Sequence, residues 1–163
     1  MKEKTFQNDV LPLKDKLFRL ALRITLNRED AEDMVQDTLL KVWQQMQENV
    51  PIDNMEALAM TICRNHSIDL IQLKQQQNVS FDSSLHDRPD STLTAQEQME
   101  QGEKVRRMEK LLDMLPEKQR TAIQLRDIEG RSYKEISGIM GITESDVKVN
   151  IFRARQKLKD AAQ

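Results

Sequence analysis

The chain has 163 residues, enough for one domain or two small ones, with 38% hydrophobic and 32% charged residues. Four glycines, four prolines and 4% aromatic residues argue against a large β-sheet, because sheets need more aromatic and β-branched residues and more turns. A single cysteine excludes an internal disulfide, and two histidines cannot form a clustered metal site alone. A net charge of −2 neither favours nor excludes binding to nucleic acid.

The composition favours an all-α protein, because Leu, Met, Gln, Glu, Lys and Arg fill the long runs of the chain. Apolar residues at helical spacing predict a first amphipathic helix over residues 11–26. Asn27 is a candidate cap for a second helix, which runs to about Gln47. Either Asp53 or Asn54 is a candidate cap for a third helix, which runs through Leu73. The first half of the chain therefore predicts a three-helix unit.

The polar stretch 75–96 separates this unit from the second half of the chain. It is rich in Gln, Asn, Ser and Asp, and such a composition cannot bury enough surface to offset chain ordering. We therefore predict two small helical domains, residues 1–74 and 97–163, joined by a linker over 75–96. Charge is divided as well, since residues 29–50 carry six acids against one base, whereas residues 131–163 carry seven bases against four acids. Surfaces of opposite charge fit different partners.

The second half predicts four helices, of which the first two cover residues 97–114 and 117–129. Apolar spacing places five residues of this part inward: Val105, Met108, Leu111, Leu112 and Leu115. A capping box of Ser132 and Glu135 begins a short third helix that ends before Gly141. Thr143, with Asp146 three residues on, begins the last helix, which covers about 144–159.

A short helix, a tight turn with glycine and a longer helix form the helix-turn-helix pattern. A helix in the major groove needs polar side chains for base edges and cations for phosphates. The outer side of the last helix offers both, in Ser145, Lys148, Val149, Asn150 and Arg153. Spacing alone leaves two readings open, a DNA-binding motif, which we favour, and a structural bundle with a solvated basic face.

At the C-terminal end, three runs of residues resemble the C-terminal domain of bacterial sigma factors, the subunits that direct RNA polymerase to promoters. They are Leu115–Gly130, Ser132–Ile136 and Val147–Arg155. In that family this domain binds the upstream (minus-35) promoter element and the flap of the polymerase β subunit.

The N-terminal half is similar to the same family. Residues 27–37 with 40–43 resemble its core-binding helix, and Arg64–Ile71 resembles its promoter-melting helix. The chain has no room for the extra domains of housekeeping sigma factors. It is therefore identified as a member of the minimal, extracytoplasmic-function (ECF) subgroup.

The resemblance assigns three sets of site residues. The residues that it assigns to contact with the polymerase β′ clamp helices are Glu32, Asp33, Gln36, Asp37, Leu40 and Trp43. Recognition of the downstream (minus-10) element falls to Asn49, Asn54, Arg64, Asn65, Ser67 and Lys74. Recognition of the minus-35 element falls to Arg131, Tyr133, Lys134, Ser145, Asp146, Lys148, Val149, Asn150, Arg153 and Arg155. From the residues alone, the first set reads instead as a solvated face with Trp43 in the core.

In two places the sequence departs from the family pattern. Ala57 and Leu58 stand where relatives carry Trp after Ala, and glutamines follow Lys74 where relatives carry an arginine-rich helix end. We expect the second departure to weaken phosphate contacts at that end.

The resulting interpretation is a non-enzymatic transcription initiation factor. Its expected partners are core RNA polymerase, promoter DNA and, since the family often has one, an anti-sigma factor. No cofactor or metal is expected, because the sequence has no glycine-rich phosphate loop and no metal-ligand cluster. The sequence also has no apolar run long enough to span a membrane and no signal-peptide core, so we expect a cytoplasmic protein. The alternative is a helix-turn-helix regulator that acts without docking on core polymerase.

Overall fold

The computed structural model describes the backbone of residues 5–77 and 95–162, with side chains from 5 to 77 and from 102 to 162. All regular structure within these ranges is helical, and no strand occurs in them. The predicted all-α fold is confirmed.

The N-terminal unit consists of three helices that pack against one another. A π-helical turn (Phe6–Val10) and a short 3₁₀ segment (Leu11–Leu13) lead into α1 (Lys14–Thr25), α2 (Arg28–Gln47) and α3 (Met55–Gln76). The Asn27 and Asn54 side chains accept hydrogen bonds from backbone N–H groups at the starts of α2 and α3. The predicted cap Asn27 is confirmed, and of the two candidates for α3 the cap is Asn54.

The C-terminal unit contains the remaining helices. They are α4 (Ala95–Asp113), α5 (Glu117–Ile123), a π-helical turn (Gln124–Ile128), α6 (Tyr133–Met140) and α7 (Glu144–Ala161). Apolar spacing predicted one α-helix over 117–129. The structure instead widens it into a π-helical turn after Ile123, and apolar spacing does not distinguish these two backbone forms.

Local capping explains the helix-turn-helix geometry. The Ser132 hydroxyl accepts from the Glu135 N–H at 3.1 Å, and the Glu135 carboxylate accepts from the Ser132 N–H at 3.2 Å, which completes the predicted capping box. Gly141 has φ +67°, where a side chain would be strained. The Thr143 hydroxyl then accepts from the Asp146 N–H at 3.1 Å and begins α7.

The apolar face predicted for the start of the C-terminal unit is only partly buried. Leu112 and Leu115 are buried, but Val105 and Met108 are 54% and 48% exposed, so their prediction as core residues was wrong. Apolar spacing identifies a stripe on a helix but does not supply a neighbour to cover it. Among the described elements, α4 packs chiefly against α7, near the end that carries Leu112.

The two units share one hydrophobic core. Leu17 and Leu20 of α1 belong to the same buried cluster as Leu125, Ile136 and Ile139 of the C-terminal unit. Helix α6 packs on α3, and α5 packs on α1. Both units are therefore held against each other by apolar packing.

The predicted linker, 75–96, lies largely outside the described residues. Gln75 and Gln76 end α3, and α4 begins at Ala95. The domain boundaries remain a prediction. Among the described helices none is long and apolar enough to cross a membrane, and the same residues contain no acidic, histidine or cysteine cluster that could hold a metal ion.

Candidate polymerase and promoter interfaces

The solvent side of α2 carries all six residues predicted to contact polymerase. At 100° per residue they occupy an arc of about 140° on the helix, and the opposite side is buried against α1 and α3. We call this the α2 face, and all six of its residues are exposed: Glu32, Asp33, Gln36, Asp37, Leu40 and Trp43. The structure thus brings the whole set onto one surface.

Two large apolar side chains stand out on the α2 face. Leu40 is 55% exposed and Trp43 is 44% exposed. Reading Trp43 as a core residue was therefore wrong. Exposed apolar groups flanked by carboxylates suit a partner that combines apolar contact with positive charge, and tryptophan is a frequent energetic centre of such interfaces.

The residues predicted for the minus-10 element are divided by the structure. Asn49 adopts φ +57° just after α2, Asn54 caps α3, and both side chains are exposed. Arg64 is half-buried, with Nη1 donating to the Asn65 side-chain oxygen at 3.3 Å. These four side chains therefore reach solvent on the loop and on α3.

The other two members of the minus-10 set face the interior or α2. Ser67 is fully buried. The Lys74 ammonium forms an ion pair with Asp30 of α2, and that pair joins the far end of α3 to the start of α2. A residue without exposed surface cannot touch DNA in this arrangement, so Ser67 is not available for the predicted minus-10 contact.

The residues predicted for the minus-35 element lie mostly on the outer side of α7. Val147, Ile151 and Ala154 face inward and are buried. On the opposite side, five of the predicted residues are exposed: Ser145, Asp146, Lys148, Val149 and Arg153. Asn150 is half-exposed, and its amide donates to the Asp146 carbonyl at 2.8 Å. One amide proton and the side-chain oxygen stay free of that bond, which is sufficient for a bidentate contact to adenine.

Tyr133 organises the cations around the first helix of the motif. Arg126 lies 4.3 Å and Lys148 lies 5.4 Å from the centre of its ring. Cation–π attraction thereby holds Arg126, from the π-helical turn, and Lys148, from α7 itself, on this ring. Arg126 was not predicted from the sequence, because its contact with Tyr133 depends on the fold of the π-helical turn in which it lies. Lys134 is exposed on α6.

Two further predicted DNA contacts are already engaged in ion pairs. The Arg155 guanidinium binds the Asp127 carboxylate, and this bonding raises the pKa of Arg155. Arg131 lies 3.0 Å from Glu56 of α3 and 3.4 Å from Glu135. Arg131 therefore connects the two units in this structure.

Comparison with known protein families matches both halves of the chain. Residues 10–77 match the Sigma-70 region 2 family and residues 106–158 match the Sigma-70 region 4 family. The chain is 31% identical over 137 residues to the RNA polymerase sigma factor SigZ of Bacillus subtilis, covering 82% of this chain and 75% of SigZ. It is also 31% identical over 147 residues to the ECF RNA polymerase sigma factor SigE of Mycolicibacterium smegmatis.

The chain belongs to the ECF sigma factors. The match to SigE covers 90% of this sigma factor but 57% of the longer relative. A solved structure of the sigma factor RpoE from Bartonella quintana, in complex with the anti-sigma factor NepR, superposes with a TM-score of 0.78 at 28% identity, covering 95% of this chain and 94% of RpoE. Because both halves match sigma-factor regions, the family predicted from the sequence is confirmed and the alternative regulator is not favoured.

Proposed function

We propose that this sigma factor binds core RNA polymerase through the α2 face and directs initiation at promoters with minus-35 and minus-10 elements. The exposed pair Leu40 and Trp43, flanked by carboxylates, carries the proposal, because a freestanding DNA-binding regulator has no use for such a surface. The partner surface is the clamp-helix region of the polymerase β′ subunit, which the family resemblance supplies. The flap of the β subunit is the second contact, made by the C-terminal unit.

For DNA, we propose separate roles for the two units. On α7, Ser145, Val149 and Asn150 read base edges, while Lys148 and Arg153 contact phosphates, because they lie on the exposed side of the helix. Five other residues support this helix on DNA or reach the adjacent backbone: Arg131, Tyr133, Lys134, Asp146 and Arg155.

The minus-10 element is bound by the loop and exposed side of α3, through Asn49, Asn54, Arg64 and Asn65. Extruding a base from the duplex costs a few kcal/mol, which pocket contacts and stacking offset. Lys74 contributes only where its pair with Asp30 opens.

No chemical step is assigned to the protein itself. Sigma factors act by positioning polymerase, so we propose a non-enzymatic role without cofactor, in the cytoplasm where polymerase works. RpoE was solved in complex with an anti-sigma factor. By analogy, a protein of that class is the expected inhibitor of this chain.

Co-purification tests the docking surface. Asp33→Arg reverses an exposed charge on the α2 face and should weaken binding to core polymerase about tenfold, since like charge opposite a basic partner costs on the order of 1–3 kcal/mol. Glu103→Arg on α4 makes the same change of charge at an exposed site outside the α2 face and is the matched control. Equal binding of both variants and wild type would show that the α2 face is not the docking surface.

A further inference from the structure

The outer side of α7 carries two large apolar side chains that water reaches. Phe152 is 68% exposed and Val149 is 42% exposed. They lie three residues apart on one helix, so their side chains are neighbours on the same surface. We call Val149 and Phe152 the apolar strip. Val149 was predicted from the sequence to contact the minus-35 element, whereas Phe152 was not.

The apolar strip lies on the midline of the exposed side of α7. At 100° per residue, four residues fall within an arc of about 60° on the helix: Ser145, Val149, Phe152 and Gln156. All four are exposed, and the buried residues of α7 occupy the opposite side. The surface that α7 turns away from its own unit is therefore polar at its ends and apolar in the middle.

Cations border this midline on both sides. Lys148 lies about 40° beyond one edge of the arc, and Arg153 lies about 40° beyond the other. Both side chains are exposed. From residue 147 to residue 159, α7 itself carries no acid. An apolar centre between two cations complements the major groove of DNA, which has phosphates along both edges and thymine methyl groups on its floor.

The fold does not require apolar side chains at these two positions. Neither Val149 nor Phe152 belongs to the buried clusters of the described residues or packs against them. Single apolar residues are common on protein surfaces, but adjacent ones with polar neighbours mark an interaction site. The charges distinguish this site from the α2 face, where carboxylates surround the apolar pair. Cations around the apolar strip suit a polyanion.

We propose that the apolar strip packs on the 5-methyl group of thymine in the minus-35 element and thereby selects thymine at that position. This inference rests on the proposed function, because it requires α7 to lie in the major groove. Thymine is the one base of DNA that places a methyl group there. At 1.5 Å per residue, Val149 and Phe152 are about 4.5 Å apart along the helix axis, close to one base-pair step of about 3.4 Å. The expected readout is one thymine or two at adjacent steps.

Replacing thymine with uracil tests the strip, because uracil lacks the methyl group and keeps the same hydrogen-bonding groups. The minus-35 element is first selected from a promoter library with the full chain and core polymerase. Each thymine of the selected element is then replaced singly by deoxyuridine, and binding of the polymerase complex is measured by competition. At one position, or at two adjacent ones, uracil should weaken binding about fourfold, the effect of one methyl group left in water. Uracil elsewhere in the element should change binding little.

Phe152→Ala should remove this preference, so that the variant binds the thymine and uracil promoters equally. Because Phe152 is 68% exposed, its truncation should cost the fold little. Val149→Ala shortens the other member of the strip and should reduce the preference in part. Gln156→Ala is the matched control, since it truncates an exposed side chain on the same midline outside the strip and should keep the wild-type preference.

Four results would overturn the proposal. They are a selected element without thymine, equal binding of the wild-type chain to every uracil promoter, a preference that Phe152→Ala retains, and a preference that Gln156→Ala loses equally. Weaker binding of Phe152→Ala to core polymerase without DNA, together with an unchanged preference for thymine, would identify the strip as a protein contact instead.

Arg153→Ala separates failure of the strip from failure of the proposed function. Arg153 is assigned to phosphate, so this variant should bind the minus-35 element more weakly whether or not the strip contacts a methyl group. If Arg153→Ala weakens binding and uracil has no effect, the strip alone is refuted. If neither change has an effect, α7 does not lie in the groove and the proposed role of this helix fails with the strip.

Discussion

Replacing Arg120 with methionine should destabilise the folded chain by about 3 kcal/mol. Methionine keeps the aliphatic stem but removes three hydrogen bonds, two of them to the last carbonyls of α1. An unsatisfied buried acceptor costs about 1–3 kcal/mol, and loss of a cation at a helix C-terminus adds up to about 2 kcal/mol. Relief of the cost of burying a guanidinium offsets part of this loss, which brings the sum to about 3 kcal/mol.

Urea denaturation followed by circular dichroism measures the effect. Because the units share one core, we expect a single transition, and Arg120→Met should shift its midpoint without changing the m-value. Arg107→Met on α4 removes an exposed arginine and should change the free energy of unfolding by less than about 0.5 kcal/mol. If Arg120→Met costs no more than Arg107→Met, the bonds to α1 do not contribute as argued.

Three further predictions follow from the site and the core. Asn150→Ala should cost roughly 1–3 kcal/mol of binding free energy on the preferred upstream sequence and relax base preference at one or two base pairs. Arg153→Ala should instead weaken binding to all upstream sequences alike and lower the salt dependence of binding by about one unit. Selection from a promoter library with core polymerase at two salt concentrations distinguishes the two effects. Burial raises the pKa of Cys63 to about 12, so iodoacetamide should leave the folded chain unmodified at pH 8 and react after denaturation. Since the unfolded thiol ionises near pH 9, the contribution of the buried thiol to stability should be complete below that pH and be lost as pH rises towards 12. A urea midpoint that does not fall over this range, relative to the midpoint of Cys63→Ala, would contradict this prediction. Limited proteolysis should cut first within 75–96, and early cleavage elsewhere would refute that reading of the sequence.

Much of the fold could be predicted from local signals. Asn27, Ser132 and Gly141 fixed helix boundaries, because capping and left-handed backbone depend on residues close in sequence. The buried stripe of α7 followed from its apolar spacing for the same reason. The family resemblance supplied what spacing did not, namely the role of the acidic side of α2.

Features that depend on contacts distant in sequence could not be predicted. Val105 and Met108 have apolar spacing but no covering neighbour, and Trp43 is exposed although its size suggested core. Arg23 and Arg120 are buried polar residues with partners that lie 90 or more positions away. Charge patterns along one helix contain no information on such pairings. The prediction of separate units accordingly did not foresee that they share a core.

Run-off transcription with purified core polymerase tests the central claim most directly. The DNA is a pool of genomic fragments, and the chain is compared with its Asp33→Arg variant and the Glu103→Arg control. We predict discrete transcripts that require the chain, start downstream of a shared pair of promoter elements, and are lost with Asp33→Arg but retained with Glu103→Arg. Absence of any chain-dependent transcript, although the chain is folded and binds DNA fragments, would contradict the assignment of this protein as an initiation factor.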